Sequence, residues 1–216
     1  MSTPSTVVLT ITRQMGSGGA YIGQGVARQL GLKYVDREIL QEAARLLGAE
    51  DPHNIEHLEE RVAGLWARMT RHLSLGPPDA LFTPPAPHSS VYEEDLFRVE
   101  RQIIREIAAR ENCVIIGRAG AFVLRDHPGV VRVFVHAPDT FRMELLATTV
   151  AHHNPGELRD LMRRSDMDRA RFVHEVCSCN WSDACHYDLT VNTATVGLDN
   201  AVDLVAGVVR SKLAGK

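Results

Sequence analysis

The hydrophobic pattern along the chain alternates short apolar runs with longer stretches of helical spacing. Residues 7–11 form an apolar run rich in β-branched residues, and apolar residues at helical spacing follow it as far as Leu30. A short run at 33–35 completes a strand–helix–strand unit. Further strand-sized runs lie at 113–116, 130–135 and 187–192. Near-continuous apolar strands separated by helices predict an α/β fold: a five-stranded parallel sheet with helices on both faces.

A long helical segment separates the second and third predicted strands. One amphipathic helix is predicted over 51–75, and a second one, with Phe97 and Ile107 on its apolar face, leads into the strand at 113. The loop between them, 76–90, holds half of the chain's ten prolines, which exclude a helix or a central strand. We therefore predict a helical insert over 49–110 that serves as a mobile flap.

A second charged helical region lies between the fourth and fifth predicted strands, over 152–186. It concentrates arginines and aspartates in the segment 163–172. One interpretation is a solvated helix face with internal ion pairs. Its position before the last strand instead suits a lid of the kind that brings arginines onto a transferring phosphoryl group, with Arg169 and Arg171 as candidates. The whole chain is then one domain over 5–216 that contains an insert and a lid.

The glycine turn, residues 14–19, follows the first strand and is the strongest candidate for a binding site. Its glycines let the backbone curl so that several N–H groups point inward, and the start of the next helix adds partial positive charge. A phosphate is the natural occupant, although a plain tight turn has the same composition. The residues predicted to contact a nucleotide are Met15, Gly16, Ser17, Gly18, Gly19, Ala20 and Tyr21.

The glycine turn departs from the P-loop pattern G-x-x-x-x-G-K-[ST]. Aligned on Gly18, the first glycine of the pattern falls on Arg13, its lysine on Gly19 and its hydroxyl residue on Ala20. That lysine would neutralise the terminal phosphates, and that hydroxyl would hold Mg²⁺. Arg13 is either a substitute for the lysine's charge, since arginine bridges phosphates in a bidentate way, or a surface residue at a strand end. A dinucleotide fingerprint fits less well, because it requires glycine at Tyr21.

Two further polar residues follow predicted strands. Asp36 ends the second strand, and Arg118 follows the third within the sequence Gly-Arg-Ala-Gly. The carboxyl ends of parallel strands meet at one edge of a sheet, where the ligands of open α/β sheets collect. Asp36 is equally suited to cap the next helix, and the two roles are compatible.

Composition narrows the class of protein. With 216 residues, 44% of them hydrophobic and 24% charged, the chain is typical of a globular protein with a substantial core. A net charge of -3 without any run of basic residues argues against nucleic acid or a membrane surface as partner. The apolar runs are shorter than the roughly 20 residues of a membrane-spanning helix, and the first residues do not resemble a signal peptide. We expect a cytoplasmic protein, and the oligomeric state stays open.

Three of the four cysteines lie near histidines. Soft ligands at this density can hold zinc, but structural zinc sites usually use two separated Cys-x-x-Cys pairs. A Cys-x-Cys step on a helix directs its sulfurs to different faces, so packing cysteines and no metal are expected. The residues concerned are His174, Cys177, Cys179, Cys185 and His186.

Taken in order and spacing, these segments resemble the cytidylate kinase-like family, a branch of the nucleoside monophosphate kinases. The resemblance implies a five-stranded parallel sheet with a helical insert that binds the monophosphate and a helical lid. It also implies that ATP phosphates lie on residues 16–20, that Arg118 holds the acceptor's phosphate or base edge, and that Arg169 and Arg171 come from the lid. The matching segments are 11–19, 30–38, 114–118, 166–172, Trp181, 187–189 and 192–193.

The leading hypothesis is a phosphotransferase that uses ATP with Mg²⁺ and a nucleoside monophosphate, with cytidylate as the favoured acceptor. Arginines would position and neutralise the phosphates, and Asp36 would lie near the metal's water shell or the acceptor. Active cytidylate kinases carry acidic residues beside the Gly-Arg step, where this chain has Ile116 and Ala119. Two alternatives stay open: a nucleotide-binding regulatory module without phosphotransfer, and a kinase of a small non-nucleotide acceptor.

Overall fold

The computed structural model describes residues 6–36, 91–149 and 154–215, with the side chains of 91–96 and 149 left undescribed. The strands within these ranges are β1 (Val8–Arg13), β2 (Lys33–Val35), β3 (Cys113–Ile116), β4 (Val130–His136) and β5 (Leu189–Asn192). They form one sheet in the order β2-β3-β1-β4-β5, and every neighbouring pair is parallel. The predicted five-stranded parallel sheet is confirmed.

Helices connect these strands. They are α1 (Gly19–Leu30), α2 (Val91–Arg110), α3 (Gly120–Val123), α4 (Asp139–Thr149), α5 (Pro155–Cys177), α6 (Thr193–Val196) and α7 (Leu198–Ala214), with a 3₁₀ turn at Ala184–His186. None of the helices in the described part of the chain is long and apolar enough to cross a membrane.

The sheet is buried on both faces, as the near-continuous apolar strands predict. On one face, alternate residues of β1 such as Leu9 and Ile11 pack with α1 and α7. On the other face, Val8 and Ile115 pack with Ile103 and Ile107 of α2. Since successive side chains of a strand point to opposite faces, one apolar strand supplies both cores. The prediction of helices on both faces is therefore confirmed.

Local capping sets the ends of the helices that flank the site. α1 ends at Gly31, whose left-handed backbone lets its N–H bond the Ala27 carbonyl, as the Leu-Gly step predicts. α5 begins with a capping box in which Asn154 and Glu157 satisfy each other's backbone N–H groups. Both ends fall where the sequence pattern changes.

Part of the predicted insert is outside the described residues. The predicted helix after Asp36, the helix at 51–75 and the proline-rich loop at 76–90 all lie there. The second insert helix is described as α2, and it leads directly into β3 as predicted.

Candidate functional site

The carboxyl ends of β1, β2 and β3 place the candidate residues at one edge of the sheet. β1 runs into the glycine turn, β2 leads to Asp36, and β3 leads to Arg118. Gly16 and Gly18 adopt φ values of 76° and 82°, which lie in the left-handed region that favours glycine. A bulky side chain at Gly18 is therefore unfavourable on backbone grounds alone.

The glycine turn presents unpaired backbone donors. The N–H groups of Gly16, Gly18, Gly19, Ala20 and Tyr21 donate to no other residue in the described ranges. Three of these N–H groups belong to the first turn of α1, where a helix has no internal acceptor for them. An anion can accept these bonds, and the partial positive charge of the helix start favours it.

The predicted nucleotide contacts Met15 and Ser17 are engaged within the protein. The Met15 N–H donates to Asp166 Oδ1 at 2.8 Å. Ser17 is fully buried, with its N–H on the Gln14 carbonyl at 3.3 Å and its hydroxyl 2.7 Å from that same oxygen. These two residues shape the turn, whereas the five unpaired N–H groups are left open to an anion. The Tyr21 side chain points away, and its hydroxyl donates to Asp199 of α7 at 2.5 Å.

Arg13 lies across two glycines. A Cβ built on Gly19 would come within 2.6 Å of the Arg13 Cβ and 2.8 Å of its Cγ. A Cβ built on Gly117 would overlap the Arg13 guanidinium at Nη1. The side chain of Arg13 is half-buried. Its Cβ and Cγ lie beside Gly19, the position of the P-loop lysine, and its guanidinium lies beside Gly117, just past the carboxyl end of β3.

Asp36 is half-buried just past the end of β2. Burial and, to a lesser degree, the Asp36 carboxylate raise the pKa of the neighbouring Tyr34 to about 12, while the Arg13 guanidinium opposes the shift. Asp36 and Arg13 are therefore close enough to Tyr34 to act on the same phenol. The structure brings both predicted residues to one edge of the sheet.

Arg118 is held in a buried ion pair. Its Nε donates to Glu100 Oε2 at 2.7 Å, and its Nη2 pairs with the same oxygen. The Glu100 side chain on α2 is fully buried, and the guanidinium lies 5.1 Å above the ring of Phe172 on α5. Arg118 therefore joins α2, the sheet edge and α5, a role that the sequence did not indicate. No hydrogen bond to another described residue is made by its Nη1.

The two predicted lid arginines differ in their surroundings. Arg169 is half-buried, and its Nη1 lies 3.2 Å from Asp166 Oδ1, the oxygen that accepts the Met15 N–H. Burial lowers the pKa of Arg169. Arg171 is exposed and pairs with no other residue in the described part of the chain. The structure thus brings Arg169 to the glycine turn and leaves Arg171 in solvent.

Arg142 on α4 is a site residue that the sequence analysis missed. Its Nε donates to the Met15 carbonyl at 2.9 Å, and its Nη2 donates to Asp166 Oδ2 at 2.6 Å. Burial raises the pKa of the Asp166 carboxyl, although the Met15 N–H, Arg142 and Arg169 all oppose the shift. Nothing in the local pattern around 142 distinguishes this arginine from a surface one. Asp166 lies in the charged segment 163–172, whose spacing predicts only ion pairs within the helix.

The cysteines and histidines near the end of α5 are spread over different environments. Cys177 and Cys179 are half-buried against the aromatic cluster of Trp181 and Tyr187, and burial raises the pKa of the Cys177 thiol. Cys185 is exposed, and the ring of His186 contacts Phe122. Within the described ranges, no three His, Cys, Asp or Glu residues are grouped as a metal site would require.

Comparisons with known proteins identify the fold. The structure is similar to an uncharacterized protein from Eubacterium ventriosum, with a TM-score of 0.70 and 18% identity over 95% of this chain and 99% of that one. It is also similar to shikimate kinase from Bacteroides thetaiotaomicron, with a TM-score of 0.51 and 16% identity over 94% of this chain and 98% of that one. A gluconokinase from Sinorhizobium meliloti has a TM-score of 0.52 and 15% identity over 98% of both chains. At these identities the likeness shows a shared P-loop kinase-like fold.

The sequence itself places the chain in a family. It has no significant match among curated proteins. The model of the cytidylate kinase-like family matches residues 8–195, which span all five strands of the described sheet, the glycine turn and α5. The resemblance that the motifs predict is thereby confirmed, and this chain belongs to the cytidylate kinase-like family.

Proposed function

We propose that this protein is an ATP-dependent phosphotransferase whose acceptor is a nucleoside monophosphate, with cytidylate as the first candidate. One observation carries the proposal. Five unpaired N–H groups lie in the glycine turn and the first turn of α1, at the sheet edge where Arg13, Arg118 and Arg169 also lie. Backbone donors bind a polyphosphate, and positioned arginines neutralise the charge that develops on the transferred group.

The donor nucleotide would lie with its phosphates on the N–H groups of Gly16 and of residues 18–21. Mg²⁺ supplies charge neutralisation between the phosphates when the nucleotide is bound. The chain offers this ion no hydroxyl at the usual position, because residue 20 is alanine and the Ser17 hydroxyl bonds backbone carbonyls. Mg²⁺ would therefore arrive as part of the nucleotide substrate, and Asp36 would bind its water shell or the acceptor.

Arg13 would take the role of the missing P-loop lysine. The pattern pairs glycine at position 13 with lysine at position 19, and this chain carries the reverse, a long cation at 13 and glycine at 19. The 2.6 Å separation between a Cβ at Gly19 and the Arg13 Cβ means that only one of these positions accommodates a side chain. The positively charged side chain is therefore attached just before the glycine turn, at position 13, instead of at its other end, at position 19. The Arg13 guanidinium lies beside Gly117, the residue before Arg118, which is the residue proposed to bind the acceptor.

The acceptor would bind between α2, the described helix of the predicted insert 49–110, and α5, the described helix of the predicted lid 152–186. Arg118 is fixed there by Glu100 and Phe172, and its Nη1 is the part of the guanidinium left for an acceptor oxygen. Closure of the lid would add Arg171 to Arg169, which already lies near the glycine turn. Positioning and charge neutralisation would supply the catalysis.

The test is ADP release from MgATP across an acceptor panel. The panel holds CMP, UMP, AMP and GMP, together with shikimate and gluconate as acceptors without a nucleotide. We expect turnover with CMP and its abolition in Gly18→Val, where a Cβ would overlap Leu198 and the φ of 82° excludes a branched residue. Gly207→Val is the matched control, because a Cβ at Gly207 meets nothing within 4 Å.

Two other functions have specific support. The charge of Arg118 is already balanced by Glu100, which favours a less charged acceptor such as a small hydroxylated acid. The absent lysine and hydroxyl favour a module that binds nucleotide without transferring phosphate. Turnover with only the non-nucleotide acceptors would support the first alternative. Tight ADP binding without turnover on any acceptor would support the second.

A further inference from the structure

We propose that Arg142 and Asp166 are positioning residues that lock the glycine turn and the lid helix α5 into one arrangement. Three hydrogen bonds form a closed ring: Met15 N–H to Asp166 Oδ1 at 2.8 Å, Arg142 Nη2 to Asp166 Oδ2 at 2.6 Å, and Arg142 Nε to the Met15 carbonyl at 2.9 Å. We call this ring the clamp. Its catalytic role rests on the proposed function, whereas its structural role does not.

The clamp sets the direction of a phosphate-binding donor. The Met15 carbonyl held by Arg142 belongs to the same peptide unit as the N–H of Gly16. In a planar trans peptide the C=O and the N–H point in opposite directions, so holding the carbonyl aims the N–H away from Arg142. The N–H of Gly16 is one of the five unpaired donors of the site. Arg142 therefore orients this donor without contacting the ligand.

The clamp is built into the interior. The side chains of Arg142 and Asp166 are only 4% and 17% exposed. Beside the clamp, Met15 packs in one buried cluster with Leu146 of α4 and with Leu158 and Met162 of α5. The glycine turn, α4 and α5 are thus joined by apolar packing as well as by the three hydrogen bonds. Each of the three bonds has an ionised side chain as donor or acceptor, which makes it stronger than a bond between neutral groups, and burial limits exchange with water.

The same carboxylate places a lid arginine. Asp166 Oδ1 accepts the Met15 N–H and also lies 3.2 Å from Arg169 Nη1. Arg169 is therefore attached to the glycine turn through one oxygen atom. Release of α5 from the turn would remove Arg169 and the acceptor of the Met15 N–H in a single step.

The first experiment compares kcat for Arg142→Gln, Asp166→Asn and the double variant. If the clamp acts as a unit, opening it at either point misplaces the reacting groups, and each single variant lowers kcat on the order of 100-fold. The double variant should then lose little more than either single one. Arg142→Lys should fail as Arg142→Gln does, because a lysine keeps the charge but not the planar fork that reaches two partners. Multiplicative losses, or full rescue by lysine, would overturn the proposal.

A matched control separates the clamp from a general charge effect. Asp168 is on the same helix and acts electrostatically on Arg169, but it bonds neither Met15 nor Arg142. Asp168→Asn should leave kcat within about threefold of the wild type, since its removal opens no bond of the clamp. An equal loss in Asp168→Asn and Asp166→Asn would show that charge alone matters.

The second experiment needs no turnover. Amide hydrogen exchange is measured on the ligand-free protein and on Asp166→Ala, with Asp168→Ala as control and far-UV circular dichroism to check folding. We expect the Met15 amide and the first half of α5 to exchange faster in Asp166→Ala only. Unchanged exchange at Met15 would refute the clamp, whatever the activity. Absence of turnover in the wild type would instead refute the phosphotransferase proposal and leave this result valid.

Discussion

Substitutions at Arg13 and Gly19 test whether the Arg13 guanidinium replaces the charge of the P-loop lysine. In Gly19→Lys alone, the new Cβ lies 2.6 Å from the Arg13 Cβ and 2.8 Å from its Cγ. Carbon atoms pack best at about 3.5–4.0 Å, so the overlap is about 1 Å. The Arg13 Cβ is fixed to β1, which leaves the backbone to move. Such overpacking costs about 1–3 kcal/mol, against a gain of at most about 1 kcal/mol from replacing a helical glycine.

The assay combines thermal unfolding with kinetics. Gly19→Lys should lower the Tm by about 2–4 °C for each kcal/mol lost. Arg13→Gly should lower kcat on the order of 10²- to 10³-fold, as the loss of one donor to a transition-state oxyanion does. The double variant Arg13→Gly/Gly19→Lys restores the P-loop pattern and should recover both Tm and kcat, with a coupling free energy of about 1–3 kcal/mol.

The control for this exchange is Arg13→Ala/Gly19→Lys. Alanine keeps the Cβ at position 13, so the 2.6 Å contact persists and this pair should stay destabilised. If Gly19→Lys alone is as stable as the wild type, or if the alanine pair is rescued as well as the glycine pair, the steric argument is wrong. If stability recovers but kcat does not, Arg13 fills space without replacing the lysine's charge.

Three further predictions concern the arginines and the metal. Arg118→Ala would remove one cation from the fully buried Glu100 carboxylate and so lower stability. It is therefore made in a Glu100→Gln background, where the KM for the acceptor should rise more than kcat falls, and an unchanged KM would exclude acceptor binding. Arg169→Ala and Arg171→Ala should each reduce kcat, at about 2–4 kcal/mol per lost contact in the transition state, and normal kcat in both would remove the lid from the mechanism. Elemental analysis of protein purified without chelator should find less than one zinc per chain, and a stoichiometric amount would show a site among His174, Cys177, Cys179, Cys185 and His186.

The sequence by itself determines the parallel sheet and the place of the glycine turn. Apolar periodicity reports which face of each strand or helix is buried, and it locates β1, α1 and the C-terminal cap at Gly31. Because the carboxyl ends of parallel strands lie at one edge of a sheet, the sequence predicts that Asp36 and Arg118 lie at the same edge. These inferences rest on local spacing and on a topological rule, both of which are readable along the chain.

The tertiary structure alone decides which groups are left for a ligand. Met15 N–H bonds a carboxylate 151 positions away in the sequence, and the carbonyl of the same residue bonds an arginine 127 positions away. The packing of Arg13 across Gly19 and Gly117 likewise depends on how β1 lies beside β3. Contacts of this kind are set by the approach of distant elements, and no local periodicity encodes them. The sequence therefore predicts where the candidate site lies, and the packing of α4 and α5 determines that the Met15 N–H is paired within the protein.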